Sequence, residues 1–550
     1  MLRLTELKLP LDHDDAALRD AICAALAIPP EDLLAWTVVR RGYDARRRAS
    51  IHLVYSVDVS VRDERIVAPA ARAGPTPDTA YRPVARAPAA PRSRPVVIGC
   101  GPCGLLAGLV LAEAGFRPII LERGRIVRER TKDTWALWRR SVLTAESNVQ
   151  FGEGGAGTFS DGKLYSGIKD PRHLGRKVLA EFVAAGAPEE VLYVSKPHIG
   201  TFRLVTVVEG LREKIFALGG EYRFGARVED IRIQTGPDGT RQVRGVTLAD
   251  GTEIDTDHVV LAIGHSARDT FAMLHARGVH IEPKPFSIGF RIEHPQSLID
   301  RARFGRFAGH KLLGAADYKL VHHAANGRSV YSFCMCPGGR VVAATSEPGC
   351  VATNGMSQYS RAEFNANAGI VVGITPADYP DGPLAGIALQ RDLEQRAFRA
   401  GGGTYAAPAQ RVGDFLARRA STALGDVTPS YKPGVALGDL AAVMPEFVIT
   451  AIREALPKFE QQLPGFAMAD AVMTGVETRT SSPVRITRDA QGHSVNTRGL
   501  FPAGEGAGYA GGILSAGVDG IRVAEAVALS MTGGTPTESL VRGQTSAVYG

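Results

Sequence analysis

No run of eighteen or more apolar residues occurs in this 550-residue sequence, which excludes a membrane-spanning helix of the usual kind. The opening MLRLTELKLPLDHDD lacks the basic and apolar regions of a secretory signal, so a cytoplasmic location is expected. Cysteine is sparse. Cys23, Cys100, Cys103, Cys334, Cys336 and Cys350 are too few for a disulfide framework in a chain this long and suit a reducing compartment as free thiols. No His-rich stretch or second C-x-x-C is present to complete a zinc ligand set, so no metal is expected. Internal repeats and coiled-coil heptads are also missing. The net charge of +7 is small for this length. Its densest basic run, RRGYDARRR from Arg40 to Arg48, reads first as a solvated surface face, with phosphate, RNA or an acidic partner as the other reading.

The composition is globular, with 45% hydrophobic and 22% charged residues, and the length allows two or three domains. Residues 1–65 read as a small α+β unit: a strand at LRLTELKL, a helix at DDAALRDAICAALAI, then strands around AWTVVRRGY and ASIHLVYSVDVSV. Residues 66–94, rich in Ala, Pro and Arg, hold few large apolar side chains and read as a linker. The main body opens with an apolar strand, PVVIG, followed by a helix, LLAGLVLAEAG, and a second strand, RPIILERG. That is a βαβ unit, the building block of a parallel sheet with ligands at its strand ends.

The turn VVIGCGPCGLLAG inside this unit carries two patterns. Cys100 and Cys103 have the spacing of a thiol redox pair or a half-zinc site, while Gly99, Gly101 and Gly104 form G-x-G-x-x-G. Gly99 permits a tight turn, Gly101 lets backbone approach a pyrophosphate, and Gly104 lets the helix pack on the strand. Glu122, ending the second strand beside Arg123, can accept hydrogen bonds from a ribose diol. With strand, helix, second strand and acid all in place, the glycines decide the reading, and the cofactor is expected to be a dinucleotide. Cys100, Pro102 and Cys103 then fill the crowded positions between the glycines. Thiols gripping a pyrophosphate lie away from any reacting ring, so they are expected to be there for their size.

Further along, RGVTLADGTEIDTDHVVLAIGHSARD alternates like a β-meander and closes on Ala262, Ile263 and Gly264, and GLFPAGEGAGYAGGILSAGVDGIRVAEAV pairs a strand and a Gly-rich turn with a helix. With the fingerprint, these segments resemble the FAD-binding domain of glutathione-reductase-type flavoproteins. The resemblance implies FAD, with Val228 beside the adenine, Gly504 and Glu505 on the ribityl side, and Gly511, Gly512 and Ile513 opening a helix toward the flavin pyrimidine. No second βαβ fingerprint is present, which argues against a dedicated NAD(P)H domain; NAD(P)H or another separate donor or acceptor remains a candidate partner. The loop FGEGGAGTFSDGKLYSG offers backbone N–H groups and small residues for the cofactor at Gly154, Gly155, Ala156, Gly157, Ser160 and Asp161.

GEGGAGTFSDGKL, KPHIGT, LAIGHSARDTF, SFCMCPGG, VETRTSSPVRI and GEGAGYAGGILSAG together resemble the bacterial FAD-dependent dehydrogenases termed NAD(FAD)-utilising dehydrogenases, themselves distantly similar to fumarate-reductase and aminoacetone-oxidase-like flavoproteins. RRGYDARRR is similar to that family's S-x-D-A-R-K-K, with Tyr43 in place of a small residue. The resemblance implies an α/β chain with a split, Rossmann-like FAD-binding domain at 95–285 and 478–535, an inserted α+β substrate domain at 286–477, the small N-terminal domain, and a tail at 536–550. The expected function is FAD-dependent oxidoreduction of a small molecule by hydride transfer. A flavoprotein that binds or modifies RNA through the basic N-terminal unit is the alternative.

For the chemistry, His265 follows a flavin-binding turn and is a candidate acid or base, or else a capping histidine. Arg479 can bind a carboxylate or stabilise an enolate, or form a buried pair with Glu477. Arg291 is a third catalytic candidate, with Glu293, His198 and Arg340 as weaker ones. Cys334 and Cys336, two apart on an expected strand, point to one face and read as packing residues, with a thiol facing the flavin as the other reading.

Overall fold

Along His52–Val61 buried and half-buried residues alternate, so Leu53, Tyr55, Val57 and Val59 share a core with Ile22, Cys23 and Leu26 of the helix Asp15–Leu26. Asp14 caps that helix, accepting from Ala17 N at 2.8 Å. This computed structural model describes residues 1–66, 72–89 and 93–534; the expected tail at 536–550 and parts of the expected linker lie outside them. The N-terminal sheet is antiparallel in the order Leu33–Asp44, His52–Val61, Leu2–Pro10, Ala73–Pro75.

Two parts of the expected linker are structured. Ala73–Pro75 pairs with Leu2–Leu4 as an edge strand, a position where the missing N–H of Pro75 costs no ladder bond. Tyr81, Ala85 and Ala87 pack on the main body, and Ala87 N donates to Ala114 O at 2.8 Å. The basic run is also partly structural: Arg41 N donates to Tyr193 O at 2.6 Å and Ser195 N returns a bond to Arg41 O at 2.9 Å. Tyr43 packs edge-on against Phe304, with ring centroids 5.6 Å apart. Arg40 and Arg41 therefore help dock the N-terminal unit, while Arg46, Arg47 and Arg48 stay exposed.

The main body is α/β. Its parallel sheet runs Leu500–Pro502, Val259–Leu261, Val96–Ile98, Ile119–Glu122, Glu221–Phe224, so strands distant in sequence flank the fingerprint strand. A three-stranded meander, Val228–Thr235, Arg241–Leu248 and Glu253–Asp255, adjoins it. Phe286 to Glu477 builds a second, mainly antiparallel eight-stranded sheet with the helices Ala385–Ala400 and Glu446–Gln462.

The helix Pro102–Glu113 is buried from Cys103 to Ala112 because it is enclosed by the parallel sheet and by the helices Ile513–Thr532 and Thr201–Ala217. Small residues make that enclosure possible. A Cβ on Gly104 would stand 1.9 Å from Gly99 O, and one on Gly520 2.2 Å from Cys103 O. Both neighbours are backbone, which cannot step aside. Gly104→Ala is therefore expected to lower unfolding stability by about 2 kcal/mol and to weaken dinucleotide binding, read by denaturant titration and flavin content. A stability within error of wild type would show that the turn relaxes.

Candidate functional site

The fingerprint turn, the Gly-rich loop and the C-terminal turn converge on one cavity, which also reaches into the inserted sheet. At one end stand Gly99, Gly101, Pro102, Cys103, Glu122, Arg123 and Val228. Its middle is formed by Gly155, Ala156, Gly157, Ser160, Asp161, Ala262 and Gly264, and Glu505, Gly511, Gly512 and Ile513 flank the helix start. His265, Arg479 and Thr480 line it too, as do Phe333, Cys334 and Asn354 of the inserted sheet.

Three glycines expected at the cofactor do not line this cavity. Gly104 packs on Gly99. Gly154 donates to Cys100 O at 3.0 Å with φ +84°, and a Cβ there would meet Thr158 Oγ1 at 2.2 Å. Gly504 donates to Asp519 Oδ2 at 2.8 Å, and its missing Cβ would lie 2.8 Å from Cys103 Cβ. All three shape the turns that the cofactor would touch.

Glu122 lines the cavity with most of its hydrogen-bonding capacity already committed to backbone. Its Oε1 accepts from Gly124 N and Gly152 N, both at 2.9 Å, and its Oε2 accepts from Cys100 N at 3.1 Å. Only the position held by the Cys100 thiol, a weak donor at 3.4 Å, is left for a ribose hydroxyl. Arg123 is clamped between Glu146 and Asp269 at 2.8 Å each and lies over the Phe151 ring at 4.1 Å, forming wall rather than a free charge. Asp161 is likewise committed: it accepts from Arg361 and from the Ser357 hydroxyl. Burial opposes its ionisation, but Arg361 and Lys163 outweigh that and hold its pKa at about 2.

The residues present fit FAD on an independent ground. The helices Pro102–Glu113 and Ile513–Thr532 both begin at this cavity with glycine N-caps, Gly101 and Gly512, that offer no side-chain cap. Their free N–H groups and dipoles face the space where a pyrophosphate and an electron-accepting ring edge would need positive potential. Gly101 and Gly155 sit back to back, a Cβ on Gly155 falling 2.7 Å from Gly101 Cα, so only backbone faces the ligand there.

At the reacting end, His265 Nδ1 lies 2.9 Å from Ser266 Oγ, which also bonds Gln150 Oε1. Burial, then Arg479 and Arg268, press the imidazole pKa down to about 3, so it is neutral at physiological pH. It can pass hydrogen bonds but is no imidazolium acid. Arg479 pairs with Glu394 through Nε at 3.0 Å and Nη2 at 2.8 Å, and its Nη1 is held by Ser346 at 2.7 Å and Ser266 at 3.2 Å. The fork expected to grip a carboxylate is already filled. The expected Arg479–Glu477 pair is replaced by Arg479–Glu394 because Glu477 takes Arg291 instead, at 2.8 Å.

Arg291 is fully buried outside the cavity lining, where it also donates to Cys334 O and Asn354 Oδ1 at 2.9 Å each. It positions two cavity residues and does not itself face the site. Glu293 is buried against Ser430 and Asn365, His198 is held by Tyr359 O, and Arg340 pairs with Glu363; none of these lines the cavity. Cys334 and Cys336 both do, on a strand broken by register shifts around Cys336, with Cys334 at φ +43°. Cys334 is thus not a packing residue: its thiol opens into the cavity, whose depth raises its pKa.

Sequence reasoning missed Glu394, Gln150, Lys163 and Arg130. Arg130, wholly buried, donates to the carbonyls of Asn148, Val149, Gly152 and Glu153 and so fixes the entry to the Gly-rich loop. Only the GKL that closes GEGGAGTFSDGKL, with Lys163, lay inside a motif.

Comparisons with known proteins find relatives for both the N-terminal unit and the main body. The family described as FAD-dependent protein, C-terminal domain-like, matches residues 285–480, and a domain of unknown function matches residues 1–60. An uncharacterized protein of Clostridium beijerinckii is 44% identical over 529 residues, 95% of this chain and 98% of its own length. Among solved structures, CtdE in complex with FAD is 13% identical over 82% of this chain and 86% of its own, with a TM-score of 0.30, and the halogenase PltM is 12% identical over 82% and 72%, with a TM-score of 0.38. The cofactor of this chain is FAD.

Two outcomes follow from the site. Burial pushes Glu505 up to about 7 against the pull of Lys284. Without flavin the folded protein keeps a proton that the unfolded chain releases from about pH 4.5, so stability drains away as pH rises to about 7. The melting temperature of Glu505→Gln relative to wild type should accordingly climb across that window and level off above it; a pH-independent gap would contradict the shift. Cys100→Ala/Cys103→Ala should keep its FAD and lose about 1 to 2 kcal/mol of stability, because both buried thiols serve packing. Loss of flavin from a folded double variant would contradict that.

Proposed function

This chain belongs to the family of the Clostridium beijerinckii protein, and on that premise we propose that it is an FAD-dependent oxidoreductase that exchanges a hydride with a small molecule. The observation that carries the reading is the single cavity running from the fingerprint turn to side chains of the inserted sheet, so that cofactor and substrate share one enclosed space. FAD, when bound, supplies the two-electron acceptor or donor.

The chain's own residues do the rest. The glycine turns and the two helix N-termini hold the cofactor. Phe333, Cys334 and Asn354 supply the inserted sheet's share of the wall available to a substrate, with His265 and Thr480 in the same lining. Neutral His265 can accept or donate one hydrogen bond at the substrate, its ring fixed through Ser266. Arg479, locked onto Glu394, contributes a fixed positive field rather than a grip. No feature of the cavity favours the RNA reading.

The purified protein should be yellow and should release intact FAD on denaturation. Under anaerobic conditions the flavin absorption should bleach with one class of metabolite, or with NADH or NADPH as a freely diffusing donor, and His265→Asn should slow that bleaching at least ten-fold while FAD stays bound. A protein that is colourless and cannot be reconstituted with FAD, or a flavin that no donor reduces, would overturn the proposal.

A further inference from the structure

A second cavity, of about 280 Å³, lies between the helix Val127–Arg140, the start of the helix Thr201–Ala217 and the strand Ser329–Ala343. That volume is just below the usual range for drug-sized ligands, which begins at about 300 Å³, and suits a single small ring. Ser357 lines it, and the Ser357 hydroxyl donates to Asp161, which lines the first cavity, so one hydrogen-bonded pair separates the two.

Its walls are aromatic. Trp135 and Trp138 are two of only three tryptophans in the chain, and Phe202 stands opposite with half its surface exposed. Trp138 is buried, its indole N–H donating to Ala343 O at 2.9 Å and its ring packed edge-on against Phe159, so it contributes apolar ring atoms to the floor of the cavity while Trp135 and Phe202 carry the accessible surface. Trp135 and Phe202 remain accessible although burial of either would release water from a large apolar surface.

Its rim is positive. Arg340 is neutralised by Glu363 at 2.7 Å. Arg139, over the Trp135 ring at 4.4 Å, and Lys432 have no carboxylate partner among the described residues. Aromatic side chains beside two unpaired, exposed cations match a flat ring that carries a negative group: the ring packs on the apolar wall, and the charge meets a cation at the rim. We propose that this cavity binds a planar aromatic anion, its ring between Trp135, Trp138 and Phe202 and its negative group at Arg139 and Lys432. The site is separate from the FAD cavity and uses none of the residues assigned there.

The two cavity tryptophans make the test direct. Holoprotein is titrated with 4-nitrobenzoate, a non-fluorescent planar carboxylate that quenches indole emission, and with 4-nitrobenzyl alcohol, its neutral counterpart. Saturable quenching by the carboxylate is expected, with the alcohol at least ten-fold weaker. Lys432→Glu should weaken the carboxylate about ten-fold, whereas Trp36→Phe, in the N-terminal unit, should leave the binding constant unchanged. Lys432→Gln serves if the glutamate variant does not fold. Non-saturating quenching, equal binding of the two compounds, or binding indifferent to residue 432 would overturn the proposal. So would a change in flavin absorption with no dependence on residue 432, which would place the ligand in the first cavity.

Discussion

The carboxylate of Glu122 is the knot on which the FAD cavity depends. A buried anion is costly unless hydrogen bonds replace its water, and here three backbone N–H groups do so, from Cys100, Gly124 and Gly152. Each belongs to a different segment: the fingerprint turn, the end of the second strand, and the approach to the Gly-rich loop. One side chain thereby ties together three stretches that are distant in sequence. Arg130 completes the arrangement from behind, collecting carbonyls of the same loop, and Glu153 of that loop pairs with Arg212 at 2.7 Å. These bonds fix the three segments against one another, which lowers the entropy cost of ordering glycine-rich loops around a ligand.

A second buried polar knot joins the inserted sheet to the FAD-binding part. Glu394, on the helix Ala385–Ala400, accepts from both Arg268 and Arg479 and from the Thr478 hydroxyl. Two guanidiniums overcome the burial penalty and hold that carboxyl well below the usual range. Geometry at the reacting end depends on this cluster, because Arg479 also holds Ser266, and Ser266 holds His265.

Legibility in the sequence followed interaction range. The βαβ turn is readable because its demands are local: Gly99, Gly101 and Gly104 act within one turn, and strand, helix and strand announce themselves by burial pattern. Most cofactor-lining positions belong to such turns. Partner choice was not legible, because nothing in VETRTSSPVRI says that Glu477 faces Arg291 across two strands while Arg479 reaches Glu394 eighty-five residues away. Arg130, in a polar helix, gave no sign of being buried. The segment 66–94 was misread in part because composition counts apolar residues, whereas Ala73–Pro75 is held by backbone pairing that composition does not record. Cys334 escaped the alternation rule because the strand bulges there.

The arrangement around His265 limits what kind of proton chemistry the site can perform. An imidazole pressed to about 3 stays neutral from acid to alkaline conditions, and the same arginines that orient it through Ser266 keep it so. A donor near neutrality must then be another group, and the cavity holds one: Glu505, at about 7, half protonated where the cell works. Glu505 lines the cavity together with Gly511, Gly512 and Ile513, and its charge also acts on Lys284 and on Cys334 of the inserted sheet, so it stands between the helix start and that sheet. Hydrogen bonding by a neutral ring and titration near neutrality thus fall on different side chains of one cavity, His265 and Glu505.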